Sequence, residues 1–349
     1  MKNFRDIILL IIFFIIGVMS IVVIIDPFFH YHKPLKHINY FMTNNQQRYM
    51  NNGIVRNFDY DAIMTGTSMT ENFRSTQFDS IFNTNSIKVP FSGGSYKEIN
   101  DIVEVALKNN RNIKYVFRGL DYGKIREKYD KMSYDNYPTY LYDDNIFNDY
   151  KYILSKGAFF QSLINIIKSF KSIKRIDFDE YSSWRNRPNG KEVVLCTYKR
   201  NQQEKEIENL STKEIKIIKE NIEKNILELP KKYPNVKFLY FITPYSIVYW
   251  DFINQNREIL KQLEAEKIMI EMILEVPNIE LYSFFNNYDL ITNLGNYKDV
   301  EHYSYKINDK ILEWISQDKY RLKKDNYEVY LKSNKEFYLN YDYNKIFEN

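Results

Sequence analysis

The sequence contains a single cysteine, Cys196, and only four histidines in 349 residues. One cysteine excludes an intrachain disulfide and a metal site built from several thiolates. The apolar run at residues 193–195 predicts a strand that ends at Cys196, where a lone cysteine is more often inert packing than a nucleophile. His302 is the one histidine beyond residue 37, so it is the only imidazole available to most of the chain.

Signals for nucleotides and nucleic acids are also missing. The chain has neither a Gly-x-Gly-x-x-Gly run nor a P-loop, which disfavours ATP- or NAD-dependent chemistry. A net charge of +4 without a compact basic cluster gives little support for nucleic-acid binding. The composition, 44% hydrophobic and 27% charged, is typical of a globular protein. We therefore expect no cofactor, no metal and no nucleic-acid partner.

One long apolar run is present, at residues 7–25. Without a charge, it would span about 28 Å as a helix, close to the thickness of a bilayer core. No small-residue cleavage pattern follows it, which favours an uncleaved anchor over a signal peptide. Two basic residues lie on each side, so charge barely fixes orientation. We expect a single-pass protein of the cell membrane with its large domain outside the cytoplasm.

Three histidines follow the run, at residues 30, 32 and 37. Their aromatic neighbours suit a membrane interface, and metal binding is the less favoured alternative.

Strand and helix patterns alternate through most of the remaining chain. Strands are predicted at residues 60–64, 86–89, 113–117, 236–242 and 279–284, and helices after Ser68 and at 96–108, 212–229, 256–274 and 307–316. Such repeats predict an α/β fold with a parallel sheet and a site at the carboxyl ends of its strands.

The domain boundaries follow from this pattern. We expect a tail at 1–6, the anchor at 7–25, a polar juxtamembrane segment at 26–57, the α/β domain at 58–318 and a hairpin-like tail at 319–349. An insertion at about 122–210 interrupts the domain.

The insertion holds a predicted basic amphipathic helix. Its apolar stripe is Phe159, Leu163, Ile166, Ile167, Phe170 and Ile173, and its basic residues are Lys168, Lys171, Lys174 and Arg175. Such a helix could rest on an anionic membrane or hold an anionic polymer, although a solvated face over a packed one is commoner. Trp184 and the tyrosines at 137, 140 and 142 are candidates for stacking on sugars, with ordinary packing as the alternative.

Two motifs carry the chemistry. Gly66-Thr67-Ser68-Met69-Thr70 follows the first predicted strand, and Asp299-Val300-Glu301-His302 lies near the end of the domain. A serine hydroxyl becomes a good nucleophile when an imidazole takes its proton and a carboxylate fixes the imidazole tautomer. Ser68, His302 and Asp299 are therefore the candidate nucleophile, base and orienting acid. A helix-capping serine and a capping or core histidine are the plain alternatives.

These motifs resemble the SGNH (GDSL-like) hydrolase superfamily, whose fold is a three-layer α/β/α sandwich of the flavodoxin-like kind. The resemblance implies the roles above for Ser68, His302 and Asp299. It also implies an oxyanion hole formed by the N–H of Ser68 and of Gly93 or Gly94.

Two positions depart from that family. Thr67 replaces the aspartate of the Gly-Asp-Ser form. The third block, normally ending in an asparagine that donates to the oxyanion, is Arg118-Gly119-Leu120-Asp121 here. An ionised Asp121 cannot donate a hydrogen bond. Either Arg118 or a backbone N–H replaces that donor, or the activity is slow or lost.

The anchor and the insertion resemble a membrane-anchored subset that includes teichoic-acid D-alanylation and alginate O-acetylation proteins. This implies a serine esterase or O-acyltransferase that acts through an acyl-serine on a cell-envelope polysaccharide or teichoic-acid-like polymer, beside a membrane-bound O-acyltransferase. The alternative is a catalytically silent SGNH-like domain that binds the polymer or scaffolds that acyltransferase.

Overall fold

The computed structural model describes residues 2–143, 145–170, 176–200 and 209–348. Six strands in these residues form one sheet: β1 (Ala62–Thr65), β2 (Ser86–Lys88), β3 (Tyr115–Leu120), β4 (Lys237–Ile242), β5 (Ile279–Ser283) and β6 (Arg321–Leu322). Their order is β2-β1-β3-β4-β5-β6; all neighbours are parallel except β5 and β6. The predicted α/β class is confirmed, and the predicted parallel sheet is confirmed except at β6, which is antiparallel.

The strand order reverses between β1 and β3. From β1 the sheet grows towards one edge through β2, and it then grows towards the opposite edge through β3 and the later strands. In open α/β sheets the crevice at such a switch point, outside the carboxyl ends of the strands, is where ligands bind. The two segments that follow β1 and β3 are those of Ser68 and Asp121.

Fourteen α-helices lie in the described residues. They are α1 (Lys2–Ile25), α2 (Gln47–Asn57), α3 (Ser75–Phe82), α4 (Tyr96–Asn109), α5 (Tyr150–Ile153), α6 (Lys156–Ser169), α7 (Lys191–Cys196), α8 (Thr212–Ile222), α9 (Glu228–Lys232), α10 (Ile247–Gln255), α11 (Ile259–Ile273), α12 (Tyr288–Thr292), α13 (Tyr305–Ser316) and α14 (Tyr327–Asn340). A π-helical turn, Glu223–Leu227, joins α8 to α9.

Helices pack against both faces of the sheet. Successive residues of a strand point to opposite faces of the sheet. Two successive residues of β3 therefore identify the helices on the two faces. The Phe117 ring contacts Phe78 of α3, with centroids 5.5 Å apart. Its neighbour Arg118 donates to the backbone oxygen of Tyr96, the first residue of α4, at 3.1 Å. Helices α3 and α4 therefore cover opposite faces.

The apolar N-terminal run forms α1, and the span Phe4–Ile25 is long and apolar enough to cross a membrane. The predicted juxtamembrane segment after it packs tightly on the domain. Asp26 is buried and accepts the backbone N–H groups of residues 30–32. A Cβ at Gly53 of α2 would lie 2.1 Å from the Phe28 carbonyl oxygen, so only glycine fits this crossing.

The C-terminal tail is not the predicted hairpin. After the two-residue β6 the chain forms α14, and Ser333-Asn334-Lys335, where a hairpin would have to turn, lies inside this helix. Tyr330, Asn334 and Tyr338 share its buried face at helical spacing. The aromatic residues of this segment, which fit the alternating pattern of strands, thus also fit the 3.6-residue period of a helix.

Residues 193–195 are likewise helical, in α7, and Cys196 at its end is exposed rather than packed. The strand predicted there is wrong because a three-residue apolar run fits a buried helical turn equally well.

Candidate active site

Ser68 begins a short 3₁₀ turn immediately after β1. The turn needs glycine at position 66, whose φ is +149°, because a Cβ there would lie 2.5 Å from Thr70 Cγ2. The Thr67 hydroxyl caps the turn by accepting the Met69 N–H at 3.3 Å. Because the chain turns sharply after the strand, Ser68 is partly exposed while the residues on either side of it are buried.

Hydrogen bonds join the same turn to the C-terminal part of the domain. The Met69 carbonyl accepts the Tyr303 hydroxyl at 2.9 Å and the Asn308 side-chain amide at 3.1 Å. Both donors are buried, and they flank the start of α13. These bonds fix the Ser68 turn relative to the loop that carries His302.

That loop is closed on itself. Tyr297 and Tyr303 pair as an antiparallel bridge, and the Lys298 N–H donates to the His302 carbonyl at 2.8 Å. The Tyr297 hydroxyl donates to the Pro244 carbonyl at 3.1 Å, just past the end of β4. The loop is thereby held over the carboxyl edge of the sheet.

The structure brings Ser68, His302 and Asp299 together. Ser68 Oγ lies 2.8 Å from His302 Nε2. His302 Nδ1 lies 2.9 Å from Asp299 Oδ1 and 3.0 Å from Oδ2. With the proton on Nδ1 donated to the carboxylate, Nε2 is the acceptor for the serine proton, which is the arrangement a serine nucleophile needs.

The charges of this group are mutually stabilised. Burial is the largest influence on His302 and disfavours its charge, but the hydrogen bond and negative charge of Asp299 outweigh it and raise the pKa of His302 above its ordinary value. Burial also acts to raise the pKa of Asp299, yet the hydrogen bond and charge of His302 lower it to about 2. Asp299 is therefore ionised whenever the protein is folded near neutral pH.

Two backbone donors, one after β1 and one after β2, are candidates for an oxyanion hole. The N–H groups of Ser68 and Gly93 have no hydrogen-bond partner in the part of the chain that the structure describes. Gly94 differs, since its N–H donates to the Phe91 carbonyl at 2.8 Å within a tight turn. Of the two predicted glycines, only Gly93 therefore has a free donor.

Asp121 is buried beneath the Ser68 turn. Its Oδ2 accepts the Thr67 hydroxyl at 2.6 Å, and its Oδ1 accepts the Tyr245 hydroxyl. Burial raises the pKa of Asp121, against the hydrogen bond from Thr67. Both carboxylate oxygens already receive hydroxyl protons, so Asp121 supports the turn and provides no donor to an oxyanion.

Arg118 does not provide that donor either. Its guanidinium is buried against the rings of Tyr96 and Tyr240 and donates to the carbonyls of Asn225, at 2.7 Å, and Tyr96. Asn225 belongs to the π-helical turn that joins α8 to α9. Of the alternatives left open by the sequence, replacement of the asparagine by Arg118 does not fit this geometry, because the side chain joins α4 to that turn.

Two further residues, Trp184 in the insertion and Lys298 beside Asp299, contact the three site residues and are not part of the motifs. The Trp184 indole N–H donates to the Ser68 carbonyl at 3.4 Å, and its ring lies edge-on to His302 at 5.7 Å. The Lys298 ammonium lies 4.3 Å from the centre of the Trp184 ring and 3.9 Å from Asp299. Sequence reasoning singled out Trp184 only for sugar stacking and missed Lys298, although it directly precedes Asp299.

A cleft of about 690 Å³ opens beside Trp184. It is lined by Glu180, Ser183, Trp184, Arg185, Asn186, Arg187 and Tyr305. Arg185 is paired with Asp309 at 2.8 Å, whereas Arg187 is exposed and has no acidic partner among the residues described.

The tyrosines at 137, 140 and 142, predicted as candidates for stacking on sugars, do not line this cleft. The Tyr142 hydroxyl donates to the Arg48 carbonyl, and Tyr137 packs on Tyr142 with ring centres 4.8 Å apart. Lys171, Lys174 and Arg175 lie outside the described residues. Within those residues, no group of three potential ligands could hold a metal ion.

Comparisons with known proteins add little. No family model and no curated protein matches the chain. Among solved structures, a Streptococcus pneumonia protein described as a "putative platelet activating factor" is 12% identical, with a TM-score of 0.36, over 78% of this chain and 92% of that one. A likeness this weak carries no argument about this chain.

Proposed function

We propose that this protein is a membrane-anchored SGNH-type serine esterase or O-acyltransferase with a three-layer α/β/α domain. The observation that carries the proposal is the continuous hydrogen-bonded series from Ser68 Oγ through His302 to Asp299. Two residues from the ends of the domain meet at the switch point of the sheet, where a ligand would bind.

The chemistry follows from that geometry. His302 Nε2 takes the proton of Ser68 as Oγ attacks an ester carbonyl, and the oxyanion is held by the N–H groups of Ser68 and Gly93. His302 then protonates the leaving alcohol, giving an acyl-Ser68. Water or a sugar hydroxyl, deprotonated by His302, attacks this ester and releases Ser68.

The two residues that depart from the family pattern are in contact with each other. In the family form a carboxylate stands in the first block and an amide in the third. Here Thr67 provides a hydroxyl donor and Asp121 provides the carboxylate, 2.6 Å apart. The two positions that depart from the family pattern thus form one contact between the segments after β1 and β3.

The cleft favours a polymeric, anionic sugar substrate. An indole beside the nucleophile offers a surface for a sugar ring, and the exposed Arg187 offers a fork for a phosphate or carboxylate. A cell-envelope polysaccharide or teichoic-acid-like polymer has both features. A membrane-bound O-acyltransferase as the partner rests on the family resemblance.

The start of the domain supports an uncleaved anchor. Val22 and Ile25 near the end of α1 are buried, and the Ile25 carbonyl accepts the Tyr40 hydroxyl at 2.7 Å. Cleavage after α1 would remove part of the packed structure. We place the domain outside the cytoplasm.

Acyl trapping tests the proposal. Full-length protein in detergent is incubated with p-nitrophenyl acetate and analysed by intact mass. One acetyl group on Ser68 is expected, absent in Ser68→Ala and His302→Ala and retained in Ser92→Ala, an exposed serine beside Gly93. An unmodified wild-type protein would instead favour the silent, polymer-binding or scaffolding domain, for which the carboxylate at position 121 in place of an amide donor is the supporting observation.

A further inference from the structure

Helix α6 in the insertion buries polar side chains and exposes apolar ones, the reverse of the usual distribution. Its buried positions are Ala158, Gln161, Ser162 and Asn165. Its outward positions carry Phe160, Ile164 and Ile167, followed by Phe170 at its end, and these are 50%, 40%, 58% and 87% exposed. A helix on a water-facing surface has the opposite pattern. The outward stripe therefore fits an apolar environment.

Three polar residues on the inward face of α6 form hydrogen bonds to the segment that follows α1. Gln161 donates to the Phe41 carbonyl at 3.0 Å, and Asn165 accepts the Phe41 N–H at 3.1 Å. The Ser169 hydroxyl accepts the Asn39 N–H at 2.6 Å. These bonds fix the rotation of α6, so the apolar stripe cannot turn inward.

The position of α6 identifies what covers the stripe. Helix α6 packs directly on α1. The α1 residues with reduced exposure all lie in its last eight positions, Val18 to Ile25, whereas Phe4 to Gly17 are exposed. Those eight residues are part of the apolar span and cover about 10 Å of its length. If α1 crosses a bilayer, α6 lies at the depth of its outer hydrocarbon and headgroup layers.

The neighbouring charges fit a bilayer surface as well. Helices α5 and α6 contain no acidic residue, and their charged residues are Lys151, Lys156 and Lys168. The turn before α5 exposes Ile146 and Phe147. Within α5 and α6, exposed apolar side chains accompanied only by lysines are suited to acyl chains below anionic headgroups.

We infer that α6 is a second membrane element: an interfacial helix, embedded alongside α1, whose Phe160, Ile164, Ile167 and Phe170 contact the lipids of the bilayer. This inference rests on the membrane anchoring proposed for α1. It extends that proposal because the soluble domain would then be held to the bilayer by two elements and fixed in orientation rather than tethered by one flexible span.

Depth-dependent quenching tests this contact. In a Cys196→Ser background, single cysteines are introduced by Phe160→Cys and Ile167→Cys on the stripe, Leu10→Cys in α1 and Val329→Cys on α14. All four side chains are exposed, so the fold tolerates them. Each variant is labelled with bimane and placed in nanodiscs of phosphatidylcholine and phosphatidylglycerol that contain doxyl-labelled lipid and no other protein.

Quenching at positions 160 and 167 comparable to that at position 10, with position 329 unquenched, is the expected result. Quenching at position 10 alone would overturn the inference and leave the anchor intact, and would show that the stripe awaits a protein partner. No quenching at position 10 would refute the anchor and this inference together, while acyl trapping on Ser68 would remain unaffected.

Discussion

At the residue scale, the ionised Asp299 controls the protonation of His302. Its hydrogen bond and charge overcome the effect of burial, so the pKa of His302 is raised. Only neutral His302 can take the Ser68 proton. The rate of Ser68 acylation should therefore rise with pH and level off above that raised pKa.

Asp299→Asn should change this pH profile in a defined direction. Burial, the largest influence, lowers the pKa of His302, and removing the carboxylate removes the main influences that raise it, so the midpoint moves to lower pH. The plateau should fall by roughly 10⁴-fold because the imidazole tautomer is no longer fixed. Acylation rates from pH 5 to 9 measure both effects, with Asp309→Asn as the matched control. An unchanged midpoint would contradict the role given to Asp299.

The Thr67–Asp121 contact predicts energetic coupling. Thr67→Val leaves one oxygen of a buried carboxyl without its donor, which should lower the free energy of unfolding by about 1–3 kcal/mol. In an Asp121→Asn background the same change should cost less, because a neutral amide is less costly to leave unpaired than a carboxylate. Urea unfolding, followed by tryptophan fluorescence, measures the four free energies of this double-mutant cycle. Equal costs in both backgrounds would argue against the pairing.

Short motifs allowed the three site residues to be predicted, because nucleophile, base and orienting acid must be particular residue types. The partners of Asp121 and Arg118 could not be predicted. Thr67 and Tyr245 are brought to Asp121 by the packing of separate segments, and Arg118 bonds to a π-helical carbonyl that no sequence pattern specifies.

At the scale of elements, α14 is docked through a buried acid on α11. Glu266 accepts the Tyr122 hydroxyl at 2.9 Å and the Tyr330 hydroxyl at 2.6 Å. Burial is the largest effect and raises the pKa of Glu266 from 4.5 to about 7. The folded protein thus keeps a proton on Glu266 at pH values where the unfolded chain has lost it.

This proton makes the docking pH-dependent. The stabilisation is complete below about pH 4.5 and is lost as the pH rises towards 7, with a ceiling of about 3 kcal/mol. Glu266→Gln should remove this part of the pH dependence, so wild type should lose stability relative to the variant between pH 4.5 and 7. Unfolding curves at several pH values test this, with the exposed Glu264→Gln as control. Parallel wild-type and Glu266→Gln curves would contradict it.

Elements with a long, regular period were predictable and short ones were not. Helix α4 has its apolar residues at helical spacing over fourteen positions and was predicted almost to its ends. The aromatic runs of α14 fit both periods, and burial of Tyr330 and Tyr338 against α11 and α10 decided between them. Tertiary packing, absent from a local pattern, made that choice.

At the scale of the whole molecule, the exposed Cys196 reports which side of the membrane holds the domain. A membrane-impermeant maleimide added to intact cells should label the wild-type protein before lysis, because we place the domain outside the cytoplasm. Cys196→Ser should remain unlabelled throughout. Labelling that requires lysis would place the domain inside and point to a cytoplasm-facing lipid esterase.

Fluorophosphonate labelling tests the central claim most directly, because this reagent reacts with a serine only when a base activates it. The full-length chain is used, since residues 26–57 pack on the domain. Intact mass should show one adduct on wild type and none on Ser68→Ala or His302→Ala. A wild-type protein that unfolds cooperatively yet forms no adduct, or an adduct that survives Ser68→Ala, would contradict a working Ser68–His302 pair.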